Sequence, residues 1–161
     1  MSNINSILFV TDSNGICAVT VTNNIELILD TDYTVSYSNN INAGEATITI
    51  TGKGKWTGFI TKTFTISPKD ISSEVTLEVG QYDNIYSGTA KEPVITVKLG
   101  DETLTLETDY EVEYSNNVYV GTATATVTFK GNYTGTVSVN FEIIQDPKTG
   151  SFDGEWVTIG G

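Results

Sequence analysis

The sequence predicts an all-β chain folded as two tandem β-sandwich domains. Three observations carry that prediction. Residues 31–66 and 108–143 align without a gap, 77 residues apart, at roughly half identity. Apolar residues alternate at period two through both copies, drawn mostly from Val, Ile, Tyr and Ala against Thr and Ser. Gly- and Asn-rich breaks separate the runs. A period of this length is longer than solenoid repeats usually show and is what duplication of a small domain produces. The expected divisions are a divergent N-terminal module over residues 1–67, a second module over 68–145 and a tail over 146–161. Whatever the copies share is expected to be scaffold.

The first module opens with Ile7-Leu8-Phe9-Val10, then Asp12-Ser13-Asn14-Gly15, then Cys17-Ala18-Val19-Thr20-Val21. Asn-Gly favours tight hairpin loops because both central residues take positive φ, so a hairpin that departs from the repeat is expected here. Cys17 is the only cysteine. It has no partner for an internal disulfide and reads as a small buried strand residue between Ile16 and Ala18.

Next, Tyr33, Val35 and Tyr37 alternate with Thr34 and Ser36, Ser38-Asn39-Asn40 breaks the strand, and Ala46, Ile48 and Ile50 alternate with threonines. The second copy repeats this with Tyr110, Val112 and Tyr114, the turn Ser115-Asn116-Asn117, and Ala123, Ala125 and Val127. One face of each strand is expected to be core and the other threonine-rich and wet. Lys53-Gly54-Lys55-Trp56-Thr57-Gly58 and Lys130-Gly131-Asn132-Tyr133-Thr134-Gly135 then lead into closing strands. Their inward sets are Ile60, Phe64 and Ile66 in one copy and Val137, Val139, Phe141 and Ile143 in the other. Ser67-Pro68-Lys69-Asp70 marks the boundary, because Pro removes a ladder donor. So short a linker predicts a semi-rigid end-to-end arrangement. Several short strands at this spacing favour a sandwich of immunoglobulin type over a barrel. The missing Cys…Trp…Cys signature excludes an antibody-like domain but not disulfide-free sandwiches.

Composition narrows the function. The eight basic residues are all Lys, there is no His, and twenty acids bring the formal charge to −12. Residues 1–67 hold five acids and three Lys, 68–145 twelve and four, and the tail three and one, giving −2, −8 and −2. A surface so acidic repels a nucleic-acid backbone. Without His and with a single Cys, most nucleophilic and transition-metal chemistry lacks its side chains. No 18-residue apolar segment is present and the N-terminus has no basic region ahead of a long apolar run, so neither export by a standard signal nor membrane insertion is expected.

Acidic pairs recur at Asp30/Asp32 and Glu107/Asp109, with Asp101-Glu102 between strands. Calcium is the one metal such oxygens suit. No D-x-D-x-D-G loop accompanies them, and the expected placement is as solvated carboxylates on strand edges. Neither a catalytic residue nor a cofactor is expected. For contacts with a partner, the candidates are the aromatic residues Trp56, Tyr119, Tyr133, Phe152 and Trp156. Trp56 and Tyr133 occupy one repeat position and can equally plug the end of a sandwich. Tyr119, with Asn42 in its place in the first copy, looks the more exposed. Phe152, Trp156 and the β-branched Val157 and Ile159 can pack back as a strand, dock on a partner or stay frayed. Tyr33, Tyr37, Tyr110 and Tyr114 fall on the inward phase and are expected in the core. Asn132-Tyr133-Thr134 matches the N-glycosylation sequon and reads as a turn.

The succession Tyr86-Ser87-Gly88, Pro93-Val94, Leu106-Glu107-Thr108-Asp109-Tyr110, Tyr114-Ser115-Asn116-Asn117, Gly121-Thr122-Ala123-Thr124, Lys130-Gly131-Asn132-Tyr133-Thr134-Gly135 and Phe141-Glu142-Ile143 resembles the bacterial immunoglobulin-like repeats of large surface proteins. Related modules decorate bacteriophage capsids and tails. The resemblance covers nearly all of the second module and residues 30–66 of the first. It implies an immunoglobulin-like sandwich that spaces, displays or adheres, and it brings no catalytic residues. The expectation is therefore a non-enzymatic virion component on the particle surface, held to a capsid or tail protein through its divergent N-terminal module, with the acidic second module facing solvent. The alternative is a fragment of a bacterial cell-surface adhesin that binds glycan or a host protein.

Overall fold

The computed structural model describes residues 27–148 in full and, before them, the backbone of strands at 2–3, 7–11 and 17–21. Phe152 and Trp156 lie outside the described residues, as do the side chains of the opening strands, Cys17 included. Among the described residues every regular element is a strand. Backbone contacts divide the chain into two compact units, Met1–Pro68 and Lys69–Gly161.

The first unit comprises β1 (Ser2–Asn3), β2 (Ile7–Thr11), β3 (Cys17–Val21), β4 (Tyr33–Ser38), β5 (Gly44–Gly52), β6 (Trp56–Thr57) and β7 (Phe59–Ile66). The second comprises β8 (Lys69–Asp70), β9 (Val75–Val79), β10 (Ile95–Leu99), β11 (Glu102–Thr103), β12 (Tyr110–Ser115), β13 (Gly121–Phe129), β14 (Tyr133–Thr134) and β15 (Thr136–Ile143). In each unit a three-stranded antiparallel sheet dominates, ordered β4-β5-β7 in one and β12-β13-β15 in the other. The expected opening hairpin is present as β2 paired antiparallel with β3, and its counterpart is the β9–β10 pair, to which β11 adds. A short parallel pair completes each unit, Ser2 opposite Trp56 and Lys69 opposite Tyr133.

The recurrence extends to single backbone groups. Asn39 and Asn116 stand at φ 54° and 55°, and Asp30 and Glu107 at 67° and 69°. Ahead of each of the strands β4 and β12 an aspartate closes the same turn. Asp32 Oδ2 accepts the Ile28 N–H at 2.9 Å, and Asp109 Oδ2 accepts the Thr105 N–H at 2.8 Å. These carboxylates therefore sit in turns rather than on strand edges, because a short side-chain acceptor replaces the backbone partner that a tight reversal leaves missing. Gly135 shows why the following reversal keeps glycine: at φ 110° a Cβ would lie 2.6 Å from Asp70 Oδ1.

Period-two alternation places the core. Ala46, Ile48 and Ile50 on β5, and Ala123, Ala125 and Val127 on β13, are all fully buried. In the second unit one cluster joins both sheets in a sandwich-like arrangement, with Ile95 and Val97 of β10 and Leu104 against Tyr110, Phe129, Phe141 and Ile143. The first unit's described cluster is smaller, Leu27, Tyr33, Ile48, Ile50 and Trp56.

Two residue expectations need correction. Tyr33 and Tyr110 are buried as expected, but Tyr37 is 47% exposed and Tyr114 only half-buried. They lie near the far ends of their strands, where the sheet runs out from under its cover. The cover differs between the units. Tyr114 donates its hydroxyl to the Pro93 carbonyl at 2.6 Å, and Pro93 belongs to a fifteen-residue connection, 80–94, between β9 and β10. The connection between β2 and β3, residues 12–16, is ten residues shorter.

Candidate functional site

That longer connection holds most of what distinguishes the second unit. It starts from Gly80, whose N–H meets the Val94 carbonyl at 2.8 Å and so ties the two ends of the loop together. Tyr82 then lies edge-on to Phe141, with centroids 5.4 Å apart at 83°. Its hydroxyl donates to the Glu142 carbonyl at 2.9 Å. Residues 84–86 add to the end of β15: the Ile144 N–H reaches the Asn84 carbonyl and the Tyr86 N–H the Ile144 carbonyl, both at 2.8 Å. The connection is thus fastened by backbone bonds, which fixes where its side chains point.

Lys91 is 9% exposed, a cation drawn into the protein. Its ammonium is held 3.1 Å from Asp83 Oδ2, while its backbone exchanges bonds with Asn117, N–H to carbonyl at 2.7 Å and carbonyl to side-chain amide at 3.0 Å. The Ile85 N–H and then the Lys91 ammonium hold the Asp83 carboxyl below its ordinary range. Asp83 itself stays 69% exposed, so water keeps contact with the pair and screens it. What Lys91 does is lock the 80–94 connection against the turn that follows β12.

The result is an aromatic ledge. Tyr86 from the connection and Tyr119 from the β12–β13 turn stack with centroids 6.4 Å apart and planes 21° from parallel. Tyr119 remains 73% exposed and Tyr86 41%. The near-parallel, partly solvent-facing rings offer apolar ring surface with polar tips, suited to contact with a sugar ring or an aromatic side chain. The Ser87 and Thr89 hydroxyls, 2.8 Å apart, lie next in the chain. In the first unit the position of Tyr119 is Asn42, and the connection that would supply a Tyr86 is ten residues shorter.

The other candidates are placed differently. Trp56 is buried in the first unit's cluster, and its indole N–H meets no hydrogen-bond acceptor among the described residues. Tyr133 is half-buried against the second unit's core. Both rings therefore fill the end of a core, and they do so with reversed partners. In the first unit the large ring is Trp56 opposite Gly52, where a Cβ would come within 2.9 Å of the Trp56–Thr57 backbone. In the second, the equivalent of Gly52 is the buried Phe129 and the ring on the turn shrinks to Tyr133. Of the five contact candidates the described structure thus exposes Tyr119 and brings it to Tyr86, a residue that sequence reasoning did not select. The available signal was the excess length of 80–94.

A second surface feature lies on the same unit. Glu92, Val94, Leu106, Glu107, Val112 and Tyr114 line a groove of about 260 Å³ beside β12. Among the described residues no group of three His, Cys, Asp or Glu stands close enough to hold a metal ion. Among the described residues no helix is long and apolar enough to cross a membrane. The carboxylates of Asp32, Asp70, Asp83 and Asp109 are engaged in turns and loop ties. Comparison with protein families, with curated proteins and with solved structures finds no match for the chain.

Proposed function

We propose that the protein is a non-enzymatic display protein, two immunoglobulin-like β-sandwich units that attach to a phage particle as a capsid or tail decoration and hold a contact surface outward. The observation that carries this reading is the Tyr86–Tyr119 ledge. It is exposed, it is fixed by a connection tied down through backbone bonds, and it belongs to the unit with the larger negative charge. A connection that long does more than join two strands, since five residues serve between β2 and β3. The resemblance to bacterial immunoglobulin-like repeats supports the same reading. Attachment is assigned to the divergent residues 1–29, with the segment after Gln145 next in line.

Incorporation tests the reading. Particles purified from cells that make the full chain are expected to carry it, and particles from cells making a chain without residues 1–29 to lack it. Full occupancy by the shortened chain would place the anchor elsewhere, and absence of the intact chain from particles would reject the reading. A second reading, adhesion to glycan as part of a bacterial surface protein, is favoured by the ledge itself, because paired tyrosine faces beside hydroxyls suit sugar rings. Retention of the intact chain on immobilised glycans, lost in Tyr119→Ala, together with its absence from particles, would select this second reading.

A further inference from the structure

The sheet β12-β13-β15 has two edges, and they are treated differently. Residues 84–86 occupy the C-terminal end of the β15 edge through backbone bonds to Ile144. At the β12 edge the pairing leaves the outer row open. Asp109 directs its carbonyl toward Lys130 at the end of β13, whereas Tyr110 directs its own away, to the Glu107 N–H. The alternation of an antiparallel ladder then turns the N–H and C=O of Val112 and Tyr114 outward as well. Among the described residues they meet no partner.

On the far side of the groove two carbonyls are already taken. The carbonyls of Pro93 and Ile95 accept the hydroxyls of Tyr114 and Tyr110, at 2.6 and 2.9 Å. The free backbone groups of β12 stand two residues apart along an extended strand. Next to them stand exposed apolar side chains, Val94 at 69% and Leu106 at 49%. Glu92 and Glu107 rim the groove, and neither has a cationic partner among the described residues. The one cation nearby in sequence, Lys91, is committed to Asp83.

From this juxtaposition we infer that the β12 edge is a strand-addition site for an extended peptide of a partner protein, with apolar residues at every second position and Lys or Arg beside them. Each feature of the groove selects for a part of that ligand. Outward N–H and C=O groups at a two-residue spacing match the ladder of another strand. Val94, Leu106 and Val112 accept its alternate apolar side chains. The unpartnered carboxylates, on a segment of charge −8, select a basic ligand and disfavour an acidic one. This site is separate from the Tyr86–Tyr119 ledge, and the inference stands without the virion reading.

The test is to pan a display library of random ten-residue peptides on the full chain, and to measure the consensus peptide against variants. The expected consensus alternates apolar residues and carries Lys or Arg. Binding of that synthetic peptide is expected to slow amide hydrogen exchange at Val112 and Tyr114, and to weaken about tenfold in Glu92→Lys and in Leu106→Lys. Both substitutions sit at groove-facing surface positions, and circular dichroism checks their folding. The exchange measurement on the unsubstituted chain decides the matter independently of them. No enrichment, an acidic or aperiodic consensus, protection centred on Tyr119 instead of Val112, or a second copy of the chain filling the edge in sedimentation would each overturn the inference.

Discussion

The two units run one scaffold with different amounts of cover. In the first, Tyr37 meets Phe64 edge-on at 6.5 Å and remains 47% exposed. In the second, the equivalent Tyr114 meets Phe141 at 6.2 Å, but Tyr82 also packs on Phe141 and Pro93 takes the Tyr114 hydroxyl. The same aromatic pair is thus a half-open edge in one unit and part of a closed core in the other. What changed is the β9–β10 connection. Ten additional residues convert a strand end into a covered core and, on their outer side, into the Tyr86–Tyr119 ledge and one wall of the β12 groove. In the second unit, structural completion and a contact surface therefore come from one longer connection.

The comparison is sharpened most by the buried aromatic. Phe141→Ala is expected to destabilise the second unit by about 3–5 kcal/mol, and Phe64→Ala the first by less than half as much, because less of its surface leaves water. Hydrogen exchange read separately on β13 and β5 checks this in the full chain. Equal costs would mean that the connection adds no effective cover.

Tyr114→Phe comes next. Loss of the hydroxyl leaves the buried Pro93 carbonyl without its partner and is expected to cost about 1 kcal/mol. Tyr37→Phe removes a solvent-facing hydroxyl, with an expected cost near zero, and chemical denaturation of both variants is the check. The shared turns should, in contrast, behave alike. Asp32→Ala and Asp109→Ala each delete one acceptor from the same reversal, and each should cost about 1 kcal/mol. A large inequality here would break the claim of a common scaffold.

The pH dependence follows from the tyrosines. Burial, with a smaller push from neighbouring carboxylates, raises Tyr33, Tyr110 and Tyr114 above the ordinary phenol value. An unfolded chain then ionises first, so the contribution of these groups is complete below about pH 10 and declines as pH rises through their folded values. For Asp70 and Asp83 the sign is reversed. Ser72 lowers Asp70, and Ile85 with Lys91 lowers Asp83, so what they add is present above about pH 4 and lost as pH falls. Denaturation midpoints across pH should therefore fall at both extremes. The acid limb should shrink in Asp83→Asn, by less than any core substitution because the group is exposed.

Much of this scaffold was legible in the sequence. Alternation identified Ala46, Ile48, Ile50, Ala123, Ala125 and Val127 as interior, because a two-residue period has only one face to bury. Asn14-Gly15 located the hairpin, since its turn chemistry is local. Tyr37 was misplaced because phase gives the direction of a side chain and not the length of the cover above it. The kinship of the opening strands was hidden, because a ten-residue difference in one connection breaks any gapless alignment at that point. Tyr86 was missed for a related reason: its partner Tyr119 lies more than thirty residues away, and only tertiary placement of the connection brings the rings together. The ladder's open row at Val112 depends on which backbone groups β13 uses, which no residue type encodes.

The most direct test of a shared scaffold with an added contact-bearing connection is a full chain in which residues 80–94 are replaced by residues 12–16, followed by amide hydrogen exchange in β13. Gly121–Phe129 is expected to remain protected, less strongly than before but as a cooperative unit, because its equivalent β5 keeps the same pairing beside the short connection. Exchange of that strand at the rate of unfolded chain would contradict it, showing the connection to be indispensable to the second unit's fold.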